Sequence, residues 1–180
     1  MKIAVAVVAC VILVFVGFRV IGPARVWAVF GPPDLGPVSF ERLERRKTGN
    51  DGLACPVGLC RARTDAISPV FPIGAAELRQ IFTRLIALVP RVSLVAENDR
   101  DLTDRYIQRS AVMGFPDTIV VRFLDLPDGR STLAIYSRSQ LGSGDFGVNR
   151  ARVKAWLAML QAAEPAGAGL RPHDVKRPVP

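Results

Sequence analysis

The densest run of side chains able to bind a ligand or move a proton lies between residues 136 and 152. Ser137, Arg138 and Ser139 follow one another, and the stretch Gly142-Ser143-Gly144-Asp145 separates them from Asn149, Arg150 and Arg152. Arginine forks grip phosphate or carboxylate, and backbone N–H groups at a helix start favour anions. Glycines let a ligand approach the chain closely. These types in this order point to a site for an anionic head group or a peptide carboxylate, with Arg109 as a further candidate from another strand. The same residues have a plain structural use. Asp145 is a good helix cap, and Asn149 with Arg150 can tie a helix back to the sheet. Both uses stand at this point. The alternative function is an uncharacterised enzyme using Ser137 or Ser139 with Arg138 and Asp145.

Several chemistries lack their residue types. The one histidine, His173, falls in a Pro/Gly-rich C-terminal stretch, so Ser-His-Asp and Cys-His arrangements are not available in the folded region. No phosphate-cradling glycine motif, Walker sequence or His/Glu metal motif is present, and neither a metal nor a cofactor is expected. Asp117 and Asp145 are of the right type for an acid/base pair, but no spacing places them together. These gaps favour a binding module over an enzyme.

Cys55 and Cys60 bracket a Pro and a Gly that suit a tight loop, and an oxidised pair would restrain the unfolded chain by roughly 2 kcal/mol. Two buried free thiols are the other reading of the pair. Four intervening residues make a thiol-redox motif weak, and no second ligand pair supports a metal.

The elements that must hold these residues are legible from periodicity. Leu78, Ile81, Phe82, Leu85, Ile86 and Val89 recur at helical spacing from Ala75, ending before Pro90. Val92–Glu97, Arg105–Ala111, Thr118–Leu126 and Ser131–Ser139 read as strands, with a hairpin signal at Pro127-Asp128-Gly129. Val153, Trp156, Leu157 and Leu160 give a second helix its apolar stripe. The expected fold is α+β: an antiparallel sheet of about four strands with two helices on one face.

At the N-terminus, Ile3 to Phe18 holds only apolar residues plus Gly17, a span of roughly 24 Å as a helix. Adding Arg19, Val20 and Ile21 gives roughly 28 Å, enough for a single crossing if the Arg19 head snorkels. A cleaved secretory signal is the rival reading. The expected organisation is a transmembrane anchor over 1–22, a linker over 23–53 containing Gly31-Pro32-Pro33, the α+β domain over 54–163 and a disordered tail over 164–180. Trp27 reads as an interface anchor. Orientation signals conflict. Arg19 and Arg25 outweigh Lys2 and favour the C-terminal side inside, whereas a structural disulfide requires an oxidising space. The cysteines decide for an inner-membrane protein with its domain in the periplasm.

Formal charge is +8, but without Lys2, Arg19 and Arg25 only 21 basic side chains face 16 acidic ones. Residues 42–47, the most basic run, carry no interleaved aromatics, so no nucleic-acid partner is expected. The expected partners are the membrane and an anionic lipid, a peptidoglycan fragment or an envelope protein.

The string Tyr136-Ser137-Arg138-Ser139-Gln140-Leu141-Gly142-Ser143-Gly144-Asp145-Phe146-Gly147-Val148-Asn149-Arg150 resembles the C-terminal signature of the bacterial domain of unknown function 1499 family. Arg109-Ser110, Phe115-Pro116-Asp117 and the region around Cys55 extend the resemblance to about Cys55–Leu160. It implies an N-terminal membrane segment and a periplasmic domain, and it implies no activity. The family pattern carries one Cys followed by Val-Ser-Ser, so the Cys55–Cys60 pairing is read from this chain alone.

Overall fold

The computed structural model describes residues 1–163, so the tail expected over 164–180 lies outside the described residues. Helix α1 (Lys2–Ile21) is wholly unburied and has the length and apolarity of one membrane span or of a signal sequence. Helix α2 (Pro23–Ala28) follows at once, with Pro23 at its first position, where the missing N–H costs nothing.

The domain is α+β, with six strands where about four were expected, and its sheet is mixed where an antiparallel one was expected. Strands β1 (Asp51–Cys55), β2 (Ala66–Ile67), β3 (Val92–Asn98), β4 (Thr103–Arg109), β5 (Pro116–Asp125) and β6 (Ser131–Ser139) lie in the order β2-β1-β6-β5-β4-β3. The β1–β2 pair is parallel and the other pairs are antiparallel. The four expected strands are β3 to β6. The two additional ones gave no periodic signal: β1 opens with Asp and Gly, poor strand formers, and β2 is two residues long.

Helices α3 (Ala75–Ile86) and α4 (Val148–Ala162) cover one face of the sheet. There Leu78, Phe82 and Ile86 of α3 meet Trp156, Leu157 and Leu160 of α4 over Tyr106, Ile119, Val121 and Ile135. Asp125 caps α3 from the sheet, its Oδ1 accepting the Ala75 N–H at 2.7 Å.

The opposite face is not left to water. Residues 31–50 run across it, with one 3-10 turn at Phe40–Arg42, and Phe40 and Leu43 pack on Leu53, Val120 and Tyr136. Polar contacts fasten this strap. Thr118 Oγ1 accepts from Leu35 N at 3.0 Å and donates to Pro33 O at 3.0 Å. Arg105 pairs with Asp34 at 2.9 Å, and Arg122 with Glu41 at 2.6 Å. The 23–53 stretch thus includes the start of β1 and a packed layer as well as the exit from α1.

Candidate functional site

Strand alternation divides the sequence candidates between two faces. Ser137 and Ser139 point toward α4, whereas Arg138 between them points to the strap, its Nη2 donating to Leu35 O and Gly36 O at 2.8 Å each. Burial, with the neighbouring Arg46 charge adding to it, pulls the Arg138 guanidinium below its ordinary value. Arg150 is half exposed and, among the described residues, pairs with Asp65 at 3.8 Å. Arg109 ends β4 and donates from Nη1 to Gly114 O at 3.1 Å. The anion-gripping set expected around Arg138 and Arg150 is therefore not one site, because a sheet separates its members. The Ser–Arg–Asp set of the enzyme alternative fails to assemble for the same reason.

What does converge is Ser137, Ser139, Asp145 and Asn149. Asp145 accepts from Gly147 N and Asn149 N at 2.9 Å each and from Asn149 Nδ2 at 2.8 Å, capping α4. Asn149 Nδ2 also donates to Ser139 Oγ at 2.9 Å. Ser137 is sealed, donating to Asn149 Oδ1 and accepting from Arg152 Nη1 at 2.8 Å. Arg152 completes the corner, pairing with Asp117 Oδ2 at 2.7 Å and bonding Gln108 Oε1 through Nε. Asn50, from the end of the strap, donates to Gly142 O at 2.7 Å and accepts at its backbone oxygen from Ser139 N at 3.1 Å.

The strap side has its own buried carboxylate, Asp51. It accepts from Arg45, Arg46 N and Tyr136 Oη, the last at 2.8 Å. Burial raises its carboxyl, and the hydrogen bonds, led by Arg45, outweigh that and leave it below the ordinary carboxylate value. Burial, then the Asp51 hydrogen bond, raises the Tyr136 phenol.

Above the Asn149 corner lies a cleft of about 400 Å³, within the range of small-molecule sites. Phe115, Pro116, Leu141, Phe146 and Val148 wall it, and Asp117, Ser139 and Asp145 give its polar lining. Asp117 and Asp145, which no spacing brought together, are thus on one cleft. Asp145 is consumed by the cap. The Asp117 carboxylate is held on one oxygen by Arg152, and the Ser139 hydroxyl, an acceptor from Asn149, retains its own proton to donate. Ser110 also lines the cleft, its hydroxyl accepting from Phe115 N, so the cleft offers a carboxylate acceptor and hydroxyl donors beneath apolar walls.

A family model described as "Protein of unknown function (DUF1499)" matches residues 63–160. The chain belongs to the DUF1499 family. No curated protein matches it. The matched region of the DUF1499 chain begins past Cys60, so it holds β2 to β6, α3, α4 as far as Leu160 and both cleft loops, and leaves out β1, the strap and the disulfide. Cys55 and Cys60 are bonded in the structure, closing the loop between β1 and β2.

Arg152 and Asn50 are the residues that the sequence reading undervalued. Arg152 stands three residues after Asn149, one helical turn along the same face, and that spacing was the available signal. Asn50 had none, since the partners that tie it to the corner, Gly142 and Ser139, are some ninety residues away.

Proposed function

We propose that this DUF1499 chain is a single-pass, membrane-anchored periplasmic binding module. Its cleft takes a small amphiphile with an apolar body and a hydroxyl, amide or amine head. The observation that carries this reading is the cleft itself, with Phe115, Leu141, Phe146 and Val148 around the Asp117–Ser139 pair. A carboxylate and a serine proton suit a head that donates and accepts, and no free guanidinium is presented to an anion there. Helix α1 supports the anchor by length and apolarity. The Cys55–Cys60 bond supports the periplasm, because structural disulfides persist outside reducing compartments. No nucleophile with its own base lies in the cleft, which favours binding over catalysis.

The test uses three six-carbon probes, hexanol, hexylamine and hexanoate, titrated onto the detergent-solubilised full chain and followed by amide NMR. Saturable shifts over residues 141–148 are expected for hexanol and hexylamine. Phe146→Ser should weaken them by about tenfold, the loss of much of one buried aromatic contact, and leave melting unchanged because Phe146 is fully exposed. Selective binding of hexanoate would overturn the reading and restore an anion site.

A further inference from the structure

We propose that the β4–β5 loop is a second membrane-inserting element, so that the domain lies with this edge in the lipid carrying α1 and its cleft opens toward lipid. This rests on the reading of α1 as a span.

Three observations carry it. The first is depth. Met113, at the loop's tip, shares a groove with Cys10, Val11, Val14, Phe15 and Phe18 of α1. The uninterrupted apolar run of α1 ends at Phe18, with Arg19 next. Val14 lies roughly 10 Å inward from the Ile21 end of the helix, at about 1.5 Å per residue. A loop beside Val14 and Phe18 is at or below the level where hydrocarbon begins, since half of a bilayer core is about 15 Å.

The second is composition. From Ser110 to Pro116 the loop carries no charge: Ser-Ala-Val-Met-Gly-Phe-Pro. Val112 is 61% exposed, and on the neighbouring loop Phe146 is 108% exposed. An exposed apolar cluster of this kind marks a surface that something covers. Its continuity with α1 identifies the cover as the same bilayer.

The third is backbone bookkeeping. Lipid offers no hydrogen bonds, so inserted backbone is costly unless it satisfies itself; the base of the loop does so, while the N–H groups of Ala111, Val112 and Met113 at its tip find no partner among the described residues. Ser110 N donates to Phe115 O and Gly114 N to Ser110 O; Phe115 N donates to the Ser110 hydroxyl. Gly114 O accepts from Arg109, whose head stays at the base of the loop. Met113 O accepts from the Trp27 indole at 2.6 Å. Trp27 also stacks on Phe115, ring centres 4.4 Å apart, and touches Phe18. It therefore pins the loop to the foot of the anchor. At Gly114 a Cβ would come within 2.6 Å of Pro23, so α2 and the loop are in direct contact.

The β5–β6 turn marks the far end. Strand β5 runs from Pro116 to Asp125, roughly 30 Å at about 3.3 Å per residue, which carries Asp128 away from the bilayer.

The experiment uses the full chain with Cys10→Ser and its disulfide intact, labelled with an environment-sensitive fluorophore at Val112→Cys or, separately, Asp128→Cys. The chain is reconstituted into vesicles of phosphatidylethanolamine and phosphatidylglycerol containing a lipid spin-labelled near the top of its acyl chains. The label at 112 should shift to the blue and be quenched about threefold more strongly than the label at 128, which remains in water. If the chain floats with the vesicles while both labels behave alike, the loop does not insert and the inference falls with the anchor intact. If the chain does not float, the anchor reading falls and takes the inference with it.

Discussion

Two arginines that look equivalent in the sequence have unequal work. Arg138 bridges the sheet to the strap through Leu35 O and Gly36 O, and its guanidinium is half-buried over the Tyr136 ring, 5.8 Å from its centre. Charge-assisted hydrogen bonds of this kind contribute about 1.5–3 kcal/mol. Arg150 is 52% exposed and pairs with Asp65 at 3.8 Å, where an ion pair contributes about 0–1 kcal/mol at most. Arg138→Ala should therefore lower unfolding free energy by about 2 kcal/mol in a denaturant titration, and Arg150→Ala by less than about 0.5 kcal/mol. Equal losses would mean that the strap is not held as described. The residues around Asn149 differ again. Their partners fill almost every donor and acceptor, so they shape the cleft floor and leave Ser139 and Asp117 to face a ligand.

At the scale of elements, the contact between β1 and α4 sets how the cleft is built. At Gly52, an added Cβ would lie 2.5 Å from Asn149 O and 2.7 Å from Arg150 N, both backbone atoms of the first turn of α4. No side chain can yield there. Gly52→Ala should push α4 off the strand and cost about 2–3 kcal/mol, read as a lower melting temperature together with amide NMR shifts at 145–152. An unshifted spectrum would contradict that close approach. The same contact explains what was legible beforehand. Both domain helices declare themselves by helical period, and β5 and β6 by long apolar, β-branched runs joined through Asp128-Gly129, although both of their faces are covered. β1 does not, since it is only five residues long, opens on Asp and Gly, and has its Gly chosen by α4, nearly a hundred residues away. Likewise the Gly31–Pro37 stretch reads as a linker from its breakers, and only tertiary contacts lay it on the sheet. The candidate site read from the sequence grouped Ser137, Ser139, Asp145 and Asn149, which meet, with Arg109, Arg138 and Arg150, which do not join them. Strand alternation in β6 is the physical reason Arg138 falls on the other face.

In the proposed arrangement an apolar helix, a strapped sheet and a lipid-facing cleft lie in one line through the membrane surface. Flanking charge argues for the opposite orientation, with Arg19 and Arg25 against Lys2, so the disulfide is the feature on which the periplasmic placement depends. The chain's three cysteines report anchor and compartment together. Membranes from acid-quenched cells, denatured and treated with a maleimide of large mass, count reactive thiols on a gel. One modified thiol is expected without reductant, Cys10 in α1, and three after reduction. Three without reductant would place Cys55 and Cys60 in a reducing compartment. None before reduction and two after it would mean that α1 had been removed with Cys10, and either result contradicts a membrane-anchored periplasmic module.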